Sequence, residues 1–231
     1  MIPDGKVSIG SYPLVYPIPL VLLGANVAGE PNYSAVGNCA IGGFNPGLVF
    51  VSSVRHHYTN QGIVENGSFS VNFPTTGMVE VADFCGLVSG REYDKGRLFG
   101  NFYGQLGTAP MIEECPVALE CKVVHEYTHG EMQMFVGEVV NAYVDRRLAV
   151  RAGPPGDGGP AAPTGDDATG AGDTNRGAAQ GLAWRFGRAS LADLAPIMYH
   201  LDNRYYQAGE AIGHGFEDGE GVECPRRGGH R

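Results

Sequence analysis

Positive charge is scarce in this 231-residue chain, with 16 Lys and Arg against 25 Asp and Glu. A net charge of −9 without a basic cluster argues against nucleic acid and against an anionic membrane surface as partners. Cysteine is sparse as well. The five thiols are an odd number and no Cys-x-x-Cys pair occurs, which speaks against a disulfide scaffold and a structural zinc site. Reduced thiols in a cytoplasm are the expectation. The longest apolar run, Ile18 to Ala25, holds Pro19 and Gly24 and falls far short of the ~20 residues that span a membrane. The N-terminus carries Asp4 and no signal-peptide pattern, so a soluble cytoplasmic protein is expected. No Gly-x-Gly-x-x-Gly fingerprint is present, which leaves no Rossmann site for a dinucleotide. His56 and His57 are adjacent and have no evident third ligand, so no metal is expected.

What the chain does have is 43% hydrophobic residues, enough for one core, and 36 glycines. Residues 18 to 25 read as a first strand, a turn at Ala28 to Pro31 leads to a second from Asn32, and Leu48 to Val54 forms a third. Thr59 then opens a short helix as its N-cap, with Ile63 and Val64 inward and Gly67 as the stop. Ser68 to Phe73 alternates as a half-buried strand should. Ala118 to Tyr127 and Met132 to Val144 are two long strands joined by a turn at Thr128 to Glu131. The reading is mainly β, a small closed barrel of about six strands with a few short helices. Four regions follow along the chain: a barrel domain over 1–150, an insertion over 151–181, the rest of the barrel over 182–215, and a mobile tail over 216–231. The insertion holds nine Gly and four Pro and no Val, Ile, Leu, Met or aromatic residue, so it is expected to be disordered.

The most specific stretch lies between Asn72 and Lys95. It reads Asn72-Phe73-Pro74, Ala82-Asp83-Phe84-Cys85-Gly86, Ser89-Gly90 and Asp94-Lys95, with Glu114-Cys115-Pro116, Leu119-Glu120-Cys121 and Phe135 to Val139 further on. This pattern resembles the flavin reductase-like family of FMN-binding split barrels, in particular its flavoredoxin branch. The resemblance covers roughly residues 13 to 150 and resumes at 191 to 210. It implies a Greek-key split barrel, bound FMN, and electrons taken from NADH or NADPH to a flavin, a protein or a small acceptor. It further implies a homodimer, with a redox partner protein or a flavin-dependent mono-oxygenase as recipient. Three rivals are an FMN carrier without a nicotinamide site, a flavoenzyme that reduces a small organic substrate directly, and a ligand-free barrel with a structural role.

The residues that the resemblance implies for the cofactor have physical grounds. Thr59 at a helix start favours a phosphate, through free N–H groups and the helix dipole. Arg55, His56 and Lys95 add positive charge, and Ser53 precedes them on the third strand. Asn32, Ser34 and the run Gly37, Asn38, Cys39 and Ala40 match the region that carries the isoalloxazine, where small residues let backbone N–H groups approach. Tyr205 and Tyr206 match the aromatic motif that covers the site. No catalytic residue is assigned, because hydride transfer through a flavin requires no general base. Cys85 reads as a buried core thiol. Two departures stand out. Relatives carry an aromatic residue near the place of Asn38, and a histidine near the place of Met132, with His129 three residues early.

Overall fold

The computed structural model describes residues 3, 5–151, 184–186 and 191–209. Apart from Arg151, the expected insertion lies outside the described residues, as does the expected tail 216–231. In chain order the strands are β1 (Ile18–Pro19), β2 (Val21–Val27), β3 (Glu30–Val36), β4 (Cys39–Phe44), β5 (Gly47–Val54), β6 (Ser68–Phe73), β7 (Asn101–Phe102) and β8 (Met111–Ile112). They continue with β9 (Val117–His129), β10 (Met132–Val144), β11 (Ala149–Arg151), β12 (Trp184–Phe186), β13 (Ile197–His200) and β14 (Arg204–Gln207). The helices are α1 (Tyr58–Asn66), α2 (Val79–Leu87) and α3 (Leu191–Leu194).

The main sheet has the order β3-β2-β6-β9-β10-β5-β4, all antiparallel. Its edge strands β3 and β4 are separated in sequence by Gly37 and Asn38 alone, so the sheet must curl until the two edges meet at that corner. The Ser52 N–H donates to the Asn38 carbonyl at 2.9 Å and holds the corner against β5. This is the split barrel expected, with one strand more in its main sheet. The extra strand is β4, whose Gly42-Gly43 pair hides it from a reading based on β-propensity. The interior is filled by Val21, Leu23, Val51, Phe69, Val71 and Phe135, all at most 1% exposed. Truncation of such a side chain, Phe135→Ala for instance, costs about 3–5 kcal/mol.

A second core lies outside the barrel, where α2 covers β2 and β3 with Leu22, Tyr33, Ala82, Cys85 and Ile112. Cys85 is buried, and four described cysteines, Cys39, Cys85, Cys115 and Cys121, are free thiols. A small sheet β1-β13-β14 closes this side. β11 and β12 pair with each other on either side of the long segment 152–183, Arg151 opposite Trp184.

Three local expectations need correction. α1 begins before Thr59: its N-cap is His57, without a side-chain cap bond, and Thr59 is 1% exposed inside the first turn. Val64 is 55% exposed, because a helix of nine residues buries only one face and Ile63 holds it. β6 is not half-buried. Its polar residues are covered by the 108–112 segment, where Ser68 Oγ meets Thr108 Oγ1, Ser70 Oγ donates to the Pro110 carbonyl, and the Ile112 N–H donates to Asn72 Oδ1. Alternation therefore reports hydrogen-bonded burial here, not solvent.

Candidate functional site

A cavity of about 220 Å³ opens between the start of α1, the middle of β3 and the segment from the end of α2 to Lys95. Tyr58 and Thr59 stand in the first turn of α1, where N–H groups have no carbonyl to reach within the helix. The Asn60 N–H already donates to the His57 carbonyl at 3.1 Å. That turn is pinned from two sides. Asn32 Nδ2 donates to Thr59 Oγ1 at 2.7 Å from β3. Asn60 accepts from Ser53 Oγ at 2.6 Å and donates to Gln133 Oε1 at 3.0 Å on β10. The opposite wall carries Gly90, where a Cβ would collide with the Asn32 carboxamide and the Tyr58 ring. Only glycine permits this approach.

Lys95 is 3% exposed, and its Nζ donates to the carbonyls of Cys85 and Val88, each at 3.0 Å. These carbonyls belong to the C-terminal end of α2, where a cation complements the helix dipole. Burial lowers the Lys95 pKa, because desolvation penalises the ammonium. His57 is lowered as well, by burial first and then by the charge of Lys95, and both residues line the same cavity. Arg91 stacks its guanidinium over the Tyr58 ring at 5.1 Å and donates to the His56 carbonyl at 3.1 Å. The cavity lining thus holds Lys95, Arg91, His56 and His57 and not one carboxylate, in a chain of net charge −9. Ser34 completes the picture from β3. It is 6% exposed, and its Oγ is buried without a hydrogen-bond partner. Such an orphan costs about 1–3 kcal/mol, which a bound acceptor or donor would recover.

The other sequence-derived residues fall in three places. Ser34, His56, Thr59 and Lys95 line the cavity; Asn32 and Ser53 stand behind it as hydrogen-bond supports. Arg55 lies at the rim, 46% exposed at its side chain, with Nε 3.2 Å from His56 Nε2 and a 3.9 Å ion pair to Glu131. Gly37, Asn38, Cys39 and Ala40 form the β3–β4 corner beyond Ala35, outside the cavity lining, with the Tyr199 ring beside Gly37. Tyr205 packs in the outer core and donates to Asp83 Oδ1 at 2.5 Å; burial, then that carboxylate, pushes its phenol up to about 12. Tyr206 is 44% exposed and donates to Asp202 Oδ2 at 2.8 Å. Met132 pairs directly with His129 across the two-residue turn, so that histidine shares its sheet face despite the sequence offset.

Arg91, His57 and Tyr58 also line the cavity and are not among the cofactor residues expected from the sequence. Arg91 follows Ser89-Gly90 directly, and its position within the motif was the available signal. The stacking on Tyr58 depends on a contact across 33 positions and leaves no local trace.

The family described as flavin reductase like domain matches residues 14–152. A solved flavoredoxin from Methanosarcina acetivorans is 36% identical, with 93% of this chain and 97% of that one covered and a TM-score of 0.75. An FMN-binding protein from Thermus thermophilus, solved with p-hydroxybenzaldehyde bound, is 25% identical over 64% of this chain and 83% of that one, with a TM-score of 0.56. An uncharacterized protein of Archaeoglobus fulgidus is 30% identical over 129 residues, which are 55% of this chain and 72% of that relative.

Proposed function

The chain belongs to the flavin reductase-like family, and on that premise we propose that it is an FMN-binding oxidoreductase. The observation that carries this reading is the cationic, carboxylate-free cavity with the orphaned Ser34 hydroxyl, in an otherwise acidic chain. Such a lining fits a terminal phosphate dianion. The first turn of α1 offers N–H groups and the positive end of its dipole, while Arg91 offers a planar fork of donors. Lys95 Nζ has three protons and uses two on carbonyls, which leaves one for the ligand. Asn32, Ser53 and Asn60 hold the turn in place; Ser34 donates toward the ligand. The β3–β4 corner from Gly37 to Ala40 is the assigned edge for the flavin rings.

Bound FMN would supply a ring that accepts and returns a hydride; the protein would bind it, orient it and exclude water. The electron donor we assign is NADH or NADPH, and the acceptor is a flavin, a protein or a small molecule. The protein acts as a homodimer in this proposal. Part of the contact is the outer face of β9–β10, where Met132, Met134 and Val136 are half-buried. Phe135, on the other face, belongs to the barrel core. Among the described residues no helix is long and apolar enough to cross a membrane, and the free thiols fit a cytoplasmic setting.

The test is the absorption spectrum of the purified protein, repeated after anaerobic addition of each nicotinamide. A flavin spectrum that bleaches with NADH or NADPH supports the whole reading. A flavin that bleaches only with a reductase partner would make the protein a carrier, and a colourless protein that takes up no FMN would end the proposal.

A further inference from the structure

A carboxylate outside the cavity lining holds two of the basic groups at its mouth. Gly130 and Glu131 form the two-residue turn between β9 and β10, with Gly130 at a φ of +56°. That turn lies against the end of β5: Met132 pairs with Val54, and the Arg55 N–H donates to the Glu131 carbonyl at 2.8 Å. The backbone thus fixes Glu131 beside Arg55 and His56, in the short link from β5 to α1.

The Glu131 side chain meets both of them. Oε1 stands 3.9 Å from Arg55 Nη2, and Oε2 stands 3.6 Å from His56 Nε2. Arg55 Nε donates to the same His56 Nε2 at 3.2 Å. That nitrogen cannot serve both neighbours, since it accepts from Arg55 only without a proton and donates to Glu131 only with one. All three side chains are exposed, and exposed ion pairs hold weakly. The cluster therefore rearranges at small cost.

The other cations of the cavity are placed differently. Lys95 is anchored on the Cys85 and Val88 carbonyls, and Arg91 on the Tyr58 ring and the His56 carbonyl. These partners are neutral, so Lys95 and Arg91 stay available to an anion. Arg55 and His56 must be taken from an anion already present. That the cavity accepts a ligand is supported separately by Ser34, which is 6% exposed and whose Oγ lacks a partner.

We propose that Glu131 is the resident counter-ion of the cavity mouth and sets how readily the flavin leaves. Its carboxylate holds Arg55 and His56 while the cavity is empty and yields them when the phosphate arrives. This inference rests on the FMN reading above and adds a positioning residue that acts through Arg55 and His56 without touching the flavin. Binding then exchanges one anion for another on the same two groups. A phosphate monoester carries nearly two charges at neutral pH and has three acceptor oxygens, so it wins the exchange. It gains less than it would from cations that no carboxylate held, and such a loss of affinity falls mainly on the release rate.

The experiment compares FMN with riboflavin on four proteins: the wild type, Glu131→Gln, Arg55→Met with His56→Gln, and all three changes together. Flavin fluorescence titrations give dissociation constants, and stopped-flow dilution gives release rates. Glu131→Gln removes the charge and keeps the backbone bond to Arg55. It should tighten FMN about three- to tenfold, mostly through slower release, and leave riboflavin unchanged; two weak exposed pairs allow a change of that size. Arg55→Met with His56→Gln should weaken FMN, and adding Glu131→Gln to that pair should bring no further change. FMN binding that Glu131→Gln leaves unchanged would overturn the inference, as would a gain shared by riboflavin or a gain of full size without Arg55 and His56. In each of these cases the phosphate site stands as long as the wild type prefers FMN to riboflavin. A wild type that binds both flavins alike would overturn the phosphate site, and this inference with it.

Discussion

Lys95 Nζ lies 3.0 Å from the carbonyl oxygen of Cys85, so a buried ammonium closes the C-terminal end of α2 while facing the cavity. A cation in that position caps the helix, and in the proposed reading it also meets the phosphate. Lys95→Met keeps the stem and removes the charge. It should weaken FMN about 10- to 100-fold and leave riboflavin nearly unchanged, since a charge-assisted bond is worth roughly 1.5–3 kcal/mol. Parallel titrations with the two flavins check this; equal losses would place the phosphate elsewhere.

Ser34→Ala should act on stability and on binding with opposite signs. The flavin-free protein should melt at the same temperature or higher, because a buried hydroxyl without a partner is removed. FMN affinity should fall roughly 5- to 10-fold, the worth of one hydrogen bond. A destabilised flavin-free variant would mean that Ser34 has a structural partner in solution.

Gly90→Ala tests the approach of the two cavity walls. The added methyl would push the Asn32 carboxamide away and break its 2.7 Å bond to Thr59. Flavin retention should drop at least tenfold, whereas the barrel core, which does not include Gly90, should hold its melting temperature within a few degrees. Equilibrium dialysis and a thermal scan give the two numbers.

His57 holds its proton less readily in the folded chain than its ordinary value of 6.5 allows, through burial and then the Lys95 charge. In a window just below that value the unfolded chain binds more protons. The flavin-free protein therefore has this stability in full above pH 6.5 and loses it as pH falls through the lowered pKa. A dianion in the cavity offsets both causes, so FMN binding should take up a proton near His57. Calorimetry at about pH 6 in buffers of different ionisation heat reads that uptake. His57→Gln should abolish it; an unchanged uptake in the variant would assign the proton to another group.

Glu120 is fully buried and accepts from the N–H groups of Gln105 and Leu106 at 3.0 and 2.7 Å. Glu120→Ala leaves both donors without their partner and should cost about 3 kcal/mol or more, a fall of roughly 6–12 °C in Tm for a chain of this size. Limited proteolysis should then cut near residue 105. Intact resistance would show that the loop is held by other contacts.

The barrel was legible in the sequence because its long strands are dense in β-branched and aromatic residues, and because Gly67 and Gly130 mark ends that need a positive φ. β4 was not, since two glycines and an exposed pattern carry no strand signal. Ser34, Thr59 and Lys95, which the resemblance implies, line one cavity. The role of Thr59 as helix cap did not follow, because the chain turns helical at Tyr58 and Asn32 takes the hydroxyl. The seat of Lys95 depends on carbonyls that point the right way only once α2 has ended at Leu87. Such three-dimensional coincidences leave no pattern in a linear reading.

In the proposed reading the cavity between α1 and Lys95 takes the phosphate of FMN. A crystal structure of the protein soaked or co-crystallised with FMN tests this. Phosphate density is expected within hydrogen-bond reach of Lys95 Nζ, Arg91 and the first turn of α1, with Ser34 Oγ no longer without a partner. Flavin density whose phosphate lies away from that cavity would contradict it.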